Sequence, residues 1–419
     1  MTNSHFSKTI SETAELLSSE NIARLARNIP ARAQLVLRSL LHMEYGALEL
    51  KLPDGRLVKV QGKHDGPEAA AVLHNWNMPQ RAITGGTNAV AESYLDGDWD
   101  SPDVGAFLEL FLVNQHIGNK FPNSARGLLR LIERIRHWRN SNSLTGSKRN
   151  IAAHYDLGNA FYREWLDPTM TYSSALYANG ASDLQSAQTA KYRALATAAG
   201  IAPGDHVLEI GCGWGGFAEF AAREIGCKVT GLTISREQLS FARERMERAG
   251  LSDRVELKFQ DYRHEDGLYD RIVSIEMFEA VGEKYWPAYF SKLSDCLKPG
   301  GTAGLQIITI QPEAYKEYRS NPDFIQKYIF PGGMLPTRDH LVRLGQAVNL
   351  SLARDFGFGH DYARTLGEWR GRFWSVWDRL KPLGFDDRFK RLWEYYFYYC
   401  EAGFRSGNID VRQVVFTKQ

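Results

Sequence analysis

The run Val207-Leu208-Glu209-Ile210-Gly211-Cys212-Gly213-Trp214-Gly215-Gly216 carries the clearest chemistry in the chain. Glycines let the backbone turn sharply and approach a ligand closely. A helix starting just behind them offers unpaired N–H groups to an electron-rich ligand. The spacing satisfies GxGxxG, a weak signal by itself. Two features argue against a nicotinamide dinucleotide. Glu209, just before the glycines, would repel a pyrophosphate but can face the ammonium of an amino-acid cofactor. A nicotinamide site also usually has an acid at the end of the second strand, and Val229-Thr230-Gly231-Leu232-Thr233 contains none. S-adenosylmethionine therefore fits better. Thr233 and Gln238 stand where the missing acid would bind ribose hydroxyls; the alternative is a helix cap and a plain surface residue. Asp261 and Tyr262, after the third strand, are candidates for the adenine side.

These residues need a scaffold, and the pattern from about residue 200 supplies one. Short apolar strands are expected at His206–Ile210, Lys228–Leu232, Val255–Phe259, Arg271–Ile275 and Ala303–Ile310, with helices at Phe217–Glu224 and Arg236–Ala249. Alternating elements of this kind predict a doubly wound α/β sheet. Upstream, alternation in Ala47–Leu52 and Leu57–Val60 around Pro53-Asp54-Gly55 predicts a β-hairpin. Ala106–Val113 reads as a buried helix. Three parts are expected: an N-terminal α/β accessory domain (1–123), a basic helix and linker (124–150), and a catalytic domain (151–419).

The middle part has Leu128, Leu129, Ile132 and Ile135 at helical spacing, with Arg126, Arg130, Arg134, Arg136 and Arg139 beside them. It reads either as a solvated linker or as a basic amphipathic helix on anionic lipid. The chain as a whole exerts little field: its formal net charge is +2 over 419 residues. With 43% apolar and 24% charged residues it is globular rather than disordered or fibrous. Four cysteines without zinc-type spacing argue against a disulfide scaffold or a metal site. No nucleic-acid motif, signal peptide or membrane-spanning run is visible, so a cytoplasmic protein is expected.

Several ordered runs resemble one family. HYDLGNAFYREWLDPTMTYSSALY (154–177), LEIGCGWGG (208–216), GLTISREQ (231–238), DRIVSIEMFEAVG (270–282), KYIFPGGMLP (327–336) and DYARTL (361–366) look like the cyclopropane-fatty-acyl-phospholipid synthases and mycolic acid methyltransferases. GGTNAVAESYLDGDWD (85–100) resembles the accessory domain of longer bacterial members. The resemblance implies a Rossmann-like class I S-adenosylmethionine-dependent methyltransferase. Its expected reaction is methyl transfer to the cis double bond of acyl chains in membrane phospholipids. Tyr172 and Ser173 match the element that closes over the cofactor. Gly211, Gly213, Thr233, Ile234 and Gln238 match the cofactor loop and second-strand turn, and Ile275 and Glu276 begin the segment leading to Glu279.

In the family the proton-removing base is a bound bicarbonate. The resemblance places it on Ser174, Glu279, Gln306, Ile308 and Tyr362. Glu279, Ile308 and Tyr362 match the pattern; Ser174 stands where Cys is expected and Gln306 where His is expected. Both can still donate hydrogen bonds, but the imidazole that titrates near neutrality is gone. A repurposed base is therefore expected, with methylene- or methyl-branched chains as the alternative product. Aromatic residues at Tyr362–Trp374 and Trp393–Tyr399 could shield a carbocation, although such clusters more often form core. A soluble small-molecule substrate is the rival reading. Peripheral attachment to the inner, anionic membrane face and a homodimer are compatible with the resemblance.

Overall fold

The computed structural model describes residues 14–120, 157–178 and 180–419. The basic stretch 124–150 lies outside them. The chain divides into two compact units: Met1–Ile135 with Phe385–Ser406, and Arg136–Gly384 with Gly407–Gln419.

The first unit holds a five-stranded sheet in the order β1-β3-β2-β4-β5. Its strands are β1 (Glu15–Leu16), β2 (Tyr45–Lys51), β3 (Leu57–Gln61), β4 (His64–Leu73) and β5 (Trp99–Asp100). The expected hairpin is β2 and β3, which pair antiparallel with Leu48 opposite Val60 and Leu50 opposite Val58. All four side chains are buried, as period-two alternation on a half-covered sheet requires. The expected buried helix is Val104–Val113, capped by Asp103, which accepts from the Ala106 N–H at 3.0 Å.

The helix Asp387–Arg405 also belongs to this unit. The sequence reading had placed these residues in one continuous catalytic domain. Trp393, Tyr396, Phe397 and Phe404 on this helix are buried. Tyr395 lies 5.6 Å from Tyr94 between ring centroids. Arg391 sits 4.0 Å over the Tyr94 ring and donates to the Trp99 carbonyl at 2.7 Å. The aromatic run 393–399 is thus core of the first unit rather than part of a catalytic pocket.

The second unit is built on a seven-stranded sheet, β8-β7-β6-β9-β10-β12-β11. Its strands are β6 (His206–Ile210), β7 (Lys228–Thr233), β8 (Val255–Phe259), β9 (Tyr269–Ile275), β10 (Leu297–Ile310), β11 (Leu350–Gly357) and β12 (Ile409–Lys418). β6 to β10 pair in parallel, whereas β12 runs antiparallel to both β10 and β11. Leu208, Ile272, Leu305 and Phe416 are fully buried, so the central strands have no wet face. The chain leaves β6 to one side and returns to its other side as β9. Such a switch point opens a crevice at the carboxyl ends of the strands.

Two helices flank this crevice. Arg236–Ala249 has the expected bounds, and its N-cap is Ser235, whose Oγ accepts from the Gln238 N–H at 3.3 Å. Thr233 is therefore not the cap. The helix expected at Phe217–Glu224 starts at Gly216 and passes into a π turn at Ala221–Ile225. No helix among the described residues is long and apolar enough to cross a membrane.

Candidate active site

The glycine loop leaves the end of β6. Gly211, Gly213 and Gly215 have φ of 84°, 52° and 81°, the left-handed region that side chains rarely adopt. A Cβ on Gly211 would lie 2.8 Å from Met277 Cγ, so this turn also packs closely against the chain leaving β9. A Cβ on Gly213 would meet nothing within 4 Å, so that face opens onto free space. Behind the loop, Glu209 is buried and its Oε2 has no hydrogen-bond partner. Burial pushes this carboxyl up to about 8, against the opposing pull of Arg245 and Lys191. A buried acid with an unused oxygen suits a cationic ligand group, which would restore its charge.

At the end of β7, Thr233 Oγ1 donates to Gln238 Oε1 at 3.0 Å, so these two are brought together. Ile234 is partly exposed beside them. After β8, Asp261 is held by Arg263 through two contacts of 2.8 and 2.7 Å, and Tyr262 packs edge-on to Tyr289. Ile275 ends β9 opposite Gln306 of β10. Before the helix Leu184–Ala198, Tyr172 packs against Trp165 and Trp369 at 5.7 and 5.2 Å. Ser173 Oγ accepts from Lys191 Nζ at 2.7 Å.

Lys191 was not singled out from the sequence. It is completely buried, and desolvation lowers its ammonium to about 7 despite attraction from Glu276, Asp167 and Glu209. Its helix shows only an ordinary polar position there.

From sequence, Glu276 had no part in the base site, only a place in the segment leading to Glu279, yet most of the expected base-site residues converge on it. Its Oε1 accepts from the Ser174 N–H and from Gln306 Nε2, both at 2.8 Å. Its Oε2 accepts from the Tyr362 hydroxyl at 2.6 Å. Glu279 and Ile308 form a separate pair, in which the Ile308 N–H donates to Glu279 Oε1. The other Glu279 oxygen is enclosed without a partner. Burial, and then the neighbouring Glu276 charge, push this carboxyl up to about 8. The usable sequence signal was two acids three residues apart at the end of a predicted strand.

The family model described as mycolic acid cyclopropane synthetase matches residues 142–414. The chain belongs to this family. It is 40% identical over 330 residues to a tuberculostearic acid methyltransferase of Mycobacterium tuberculosis, covering 77% of each chain. It is 35% identical over 355 residues to the cyclopropane-fatty-acyl-phospholipid synthase of Escherichia coli K12, covering 83% of this chain and 87% of that one. A crystal structure of a mycolic acid cyclopropane synthase complexed with SAH and CTAB superposes with a TM-score of 0.61 at 30% identity. That match covers 65% of this chain and 98% of the other.

As a family member the protein is a class I S-adenosylmethionine-dependent methyltransferase. The residues present fit that cofactor: the left-handed glycines, the open face at Gly213 and the unpaired Glu209 oxygen all lie at the end of β6. Bicarbonate fits less well. The Tyr362 hydroxyl, the Gln306 amide and the Ser174 N–H already bind Glu276, and the Ile308 N–H binds Glu279. The Ser174 hydroxyl donates to the Ala175 carbonyl at 3.0 Å. An added anion would have to displace one of two carboxylates.

Proposed function

We propose that this cyclopropane synthetase family member transfers a methyl carbon to the cis double bond of unsaturated acyl chains in membrane phospholipids. The observation that carries this reading is the carboxylate pair Glu276 and Glu279 at the end of β9, whose chain packs directly against the cofactor loop at Gly211. Methylating an oxygen or a nitrogen needs no base that removes a proton from carbon. Methylating an alkene does.

S-adenosylmethionine, when bound, supplies an electrophilic methyl group. The protein supplies everything else. Gly211, Gly213 and Glu209 would hold the amino-acid end, and Thr233, Ile234, Gln238, Asp261, Tyr262 and Ile275 the remainder. Tyr172 and Ser173 would close over it. An alkene is a weak nucleophile, so the two reactants must be held in line and close. Attack leaves a positive charge on the acyl chain. Tyr172, Trp369 and Tyr362 form an aromatic wall, with Tyr362 6.1 Å from Trp369. Such a wall keeps water from the cation and stabilises it. One carboxylate of the Glu276–Glu279 pair stands beside it to receive the proton.

A second reading has a specific observation in its favour. Ser174 and Gln306 replace the Cys and His of the ring-forming pattern, and the 40%-identical relative is named as a tuberculostearic acid methyltransferase. The product would then be a methylene- or methyl-branched chain. Feeding expressing cells methionine with a fully deuterated methyl group, followed by lipid mass spectrometry, separates the readings. A cyclopropane retains two deuterons and carries no alkene. A methylene chain retains two and reacts with an alkene reagent. A methyl branch formed without a methylene stage retains all three. No labelled lipid would leave a soluble small-molecule substrate.

The basic stretch 124–150 supports work at an anionic membrane surface, on its inner face, where each Lys or Arg contributes on the order of 1 kcal/mol. Sedimentation with vesicles should therefore be stronger with phosphatidylglycerol than with phosphatidylcholine, and should weaken with salt. Equal binding to both would remove the membrane-surface reading. A homodimer is part of the proposal, and light scattering of the full chain tests it.

A further inference from the structure

We propose that Glu276 is the resident proton acceptor of this enzyme, a carboxylate carried on the chain where the resemblance had placed a bound anion. The proposal rests on the acyl-chain reading above and names the base it needs.

Three donors from three separate segments fix this carboxylate. Ser174 comes from the loop before the helix Leu184–Ala198, Gln306 from β10, and Tyr362 from the helix Gly359–Ser375. Together they occupy both oxygens at 2.6–2.8 Å. Charge-assisted hydrogen bonds of this length favour the ionised form. The amide of Gln306 cannot easily turn away, because its Oε1 accepts from Gln413 Nε2 at 3.1 Å. That contact leaves the Nε2 end facing Glu276. Gln413 is itself anchored on the Lys191 carbonyl at 3.1 Å. A histidine at 306 could switch between donor and acceptor; this glutamine is held as a permanent donor, matched to a permanent carboxylate.

The backbone points the same way. Glu276 has φ of 49°, and its N–H donates to the Gln306 carbonyl at 2.8 Å. A non-glycine residue in the left-handed region persists only where its surroundings over-determine it, often at functional sites. Glu276 is also partly exposed although it directly follows a central strand. Beside it, Glu279 has an unpartnered oxygen. Two such neighbours cannot both ionise readily. Burial raises both carboxyls, but Lys191 and the donors Tyr362, Gln306 and Ser174 oppose the rise at Glu276, so the charge of the pair is better supported there and the proton sits on Glu279.

The step balances without a further reactant. A C–H bond of the newly added methyl group breaks, and its proton bonds to a Glu276 oxygen. The electron pair forms the closing C–C bond of a ring or, where a 1,2-hydride shift within the acyl chain has first moved the positive charge onto the carbon bearing the methyl group, the C=C bond of a methylene group. The proton then leaves to solvent and the carboxylate returns.

The test compares the full-length wild type with Glu276→Gly and Glu276→Gln in CO2-free buffer. Glycine removes the carboxylate and tolerates the left-handed backbone; glutamine keeps the shape without the basicity. Readouts are 13C-bicarbonate NMR line width, S-adenosylmethionine affinity by calorimetry, and turnover on cis-unsaturated phospholipid vesicles. The wild type should neither broaden the bicarbonate signal nor change rate when bicarbonate is added. Both variants should keep cofactor affinity and lose about 100-fold or more in turnover, the scale of a lost general base. Glu276→Gly, but not Glu276→Gln, should broaden the signal and recover about tenfold or more with bicarbonate. Bicarbonate binding to the wild type with a rise in rate would overturn the proposal, as would wild-type turnover by Glu276→Gln. If Glu276→Gly fails to fold, seen as lost cofactor binding, the wild-type and Glu276→Gln results still decide. If the wild type forms no lipid product, the acyl-chain reading fails. The bicarbonate binding arm then still shows whether Glu276 or an anion fills the site.

Discussion

Replacing Glu209 by Gln should remove a pH dependence of cofactor binding whose size follows from the structure. Burial raises the Glu209 carboxyl to about 8, and one of its oxygens has no partner. At pH 7 about nine in ten free molecules then carry a proton there. A bound ammonium favours the carboxylate, so binding must expel that proton. Because the ammonium favours the carboxylate by only about 1.5–3 kcal/mol, the wild-type Kd should fall about two- to sixfold as pH rises from 6 to 7, below most of the range where the ligand's own ammonium titrates. Calorimetry in buffers of different ionisation enthalpy should find about 0.5–0.85 proton released at pH 7. Ionising Glu209 at that pH costs about 1.4 kcal/mol. A hydrogen bond to a charged group returns about 1.5–3 kcal/mol. The net advantage of Glu over Gln at pH 7 is then only about 0–1.6 kcal/mol. The slope rather than the absolute Kd is diagnostic. Glu209→Gln should bind with a flat profile and release no proton. A flat wild-type profile, or a slope surviving in Glu209→Gln, would refute the assignment of Glu209 to the ligand ammonium.

Three further outcomes are expected. Lys191 has a folded pKa of about 7, below its usual value, so the unfolded chain binds more protons between about 7 and 10.5. Stability should rise with pH across that window, and Lys191→Met should abolish the rise in a calorimetric Tm series; a parallel rise in the variant would contradict this. Gly211→Ala adds a Cβ 2.8 Å from Met277 Cγ at φ 84°, which costs about 1–3 kcal/mol. It should lower Tm and weaken the ligand-induced thermal shift, and an unchanged shift would count against a cofactor role for the loop. Arg391→Ala removes the 2.7 Å bond to the Trp99 carbonyl, the stacking on Tyr94 and an ion pair with Asp100 at 2.8 Å. It should destabilise the first unit by about 1.5–3 kcal/mol and leave cofactor affinity unchanged, as urea titration and calorimetry would report.

Much of this protein was legible before its fold was known. The β2–β3 hairpin, the strands β6 to β10 and the helix Arg236–Ala249 follow from local periodicity, and the structure reproduces them within a few residues except that β10 starts six residues early; β11 and β12 were not among the expected strands. The glycine loop and Glu209 declared a cofactor site because turn chemistry and charge act over a few residues. The ordered motifs also named the family that the comparisons support. Of the helix Asp387–Arg405 the sequence showed only the aromatic concentration at Trp393–Tyr399, not the helix itself or its assignment to the first unit. An apolar face states that it must be buried, not against what.

The base site shows the same division. Sequence singled out Ser174, Gln306, Tyr362, Glu279 and Ile308, named Glu276 only as part of the segment leading to Glu279, and passed over Lys191 and Gln413. Each of the five was matched through its own short motif. The role of Glu276 exists only where β9, β10, the loop at Ser174 and the helix Gly359–Ser375 bring donors separated by up to 188 positions of chain onto one carboxylate. Hydrogen bonds and buried charge depend on distances of a few ångströms and on what water is excluded. Those distances are set by strand register and packing, so they are decided by the tertiary fold and leave no mark in local spacing.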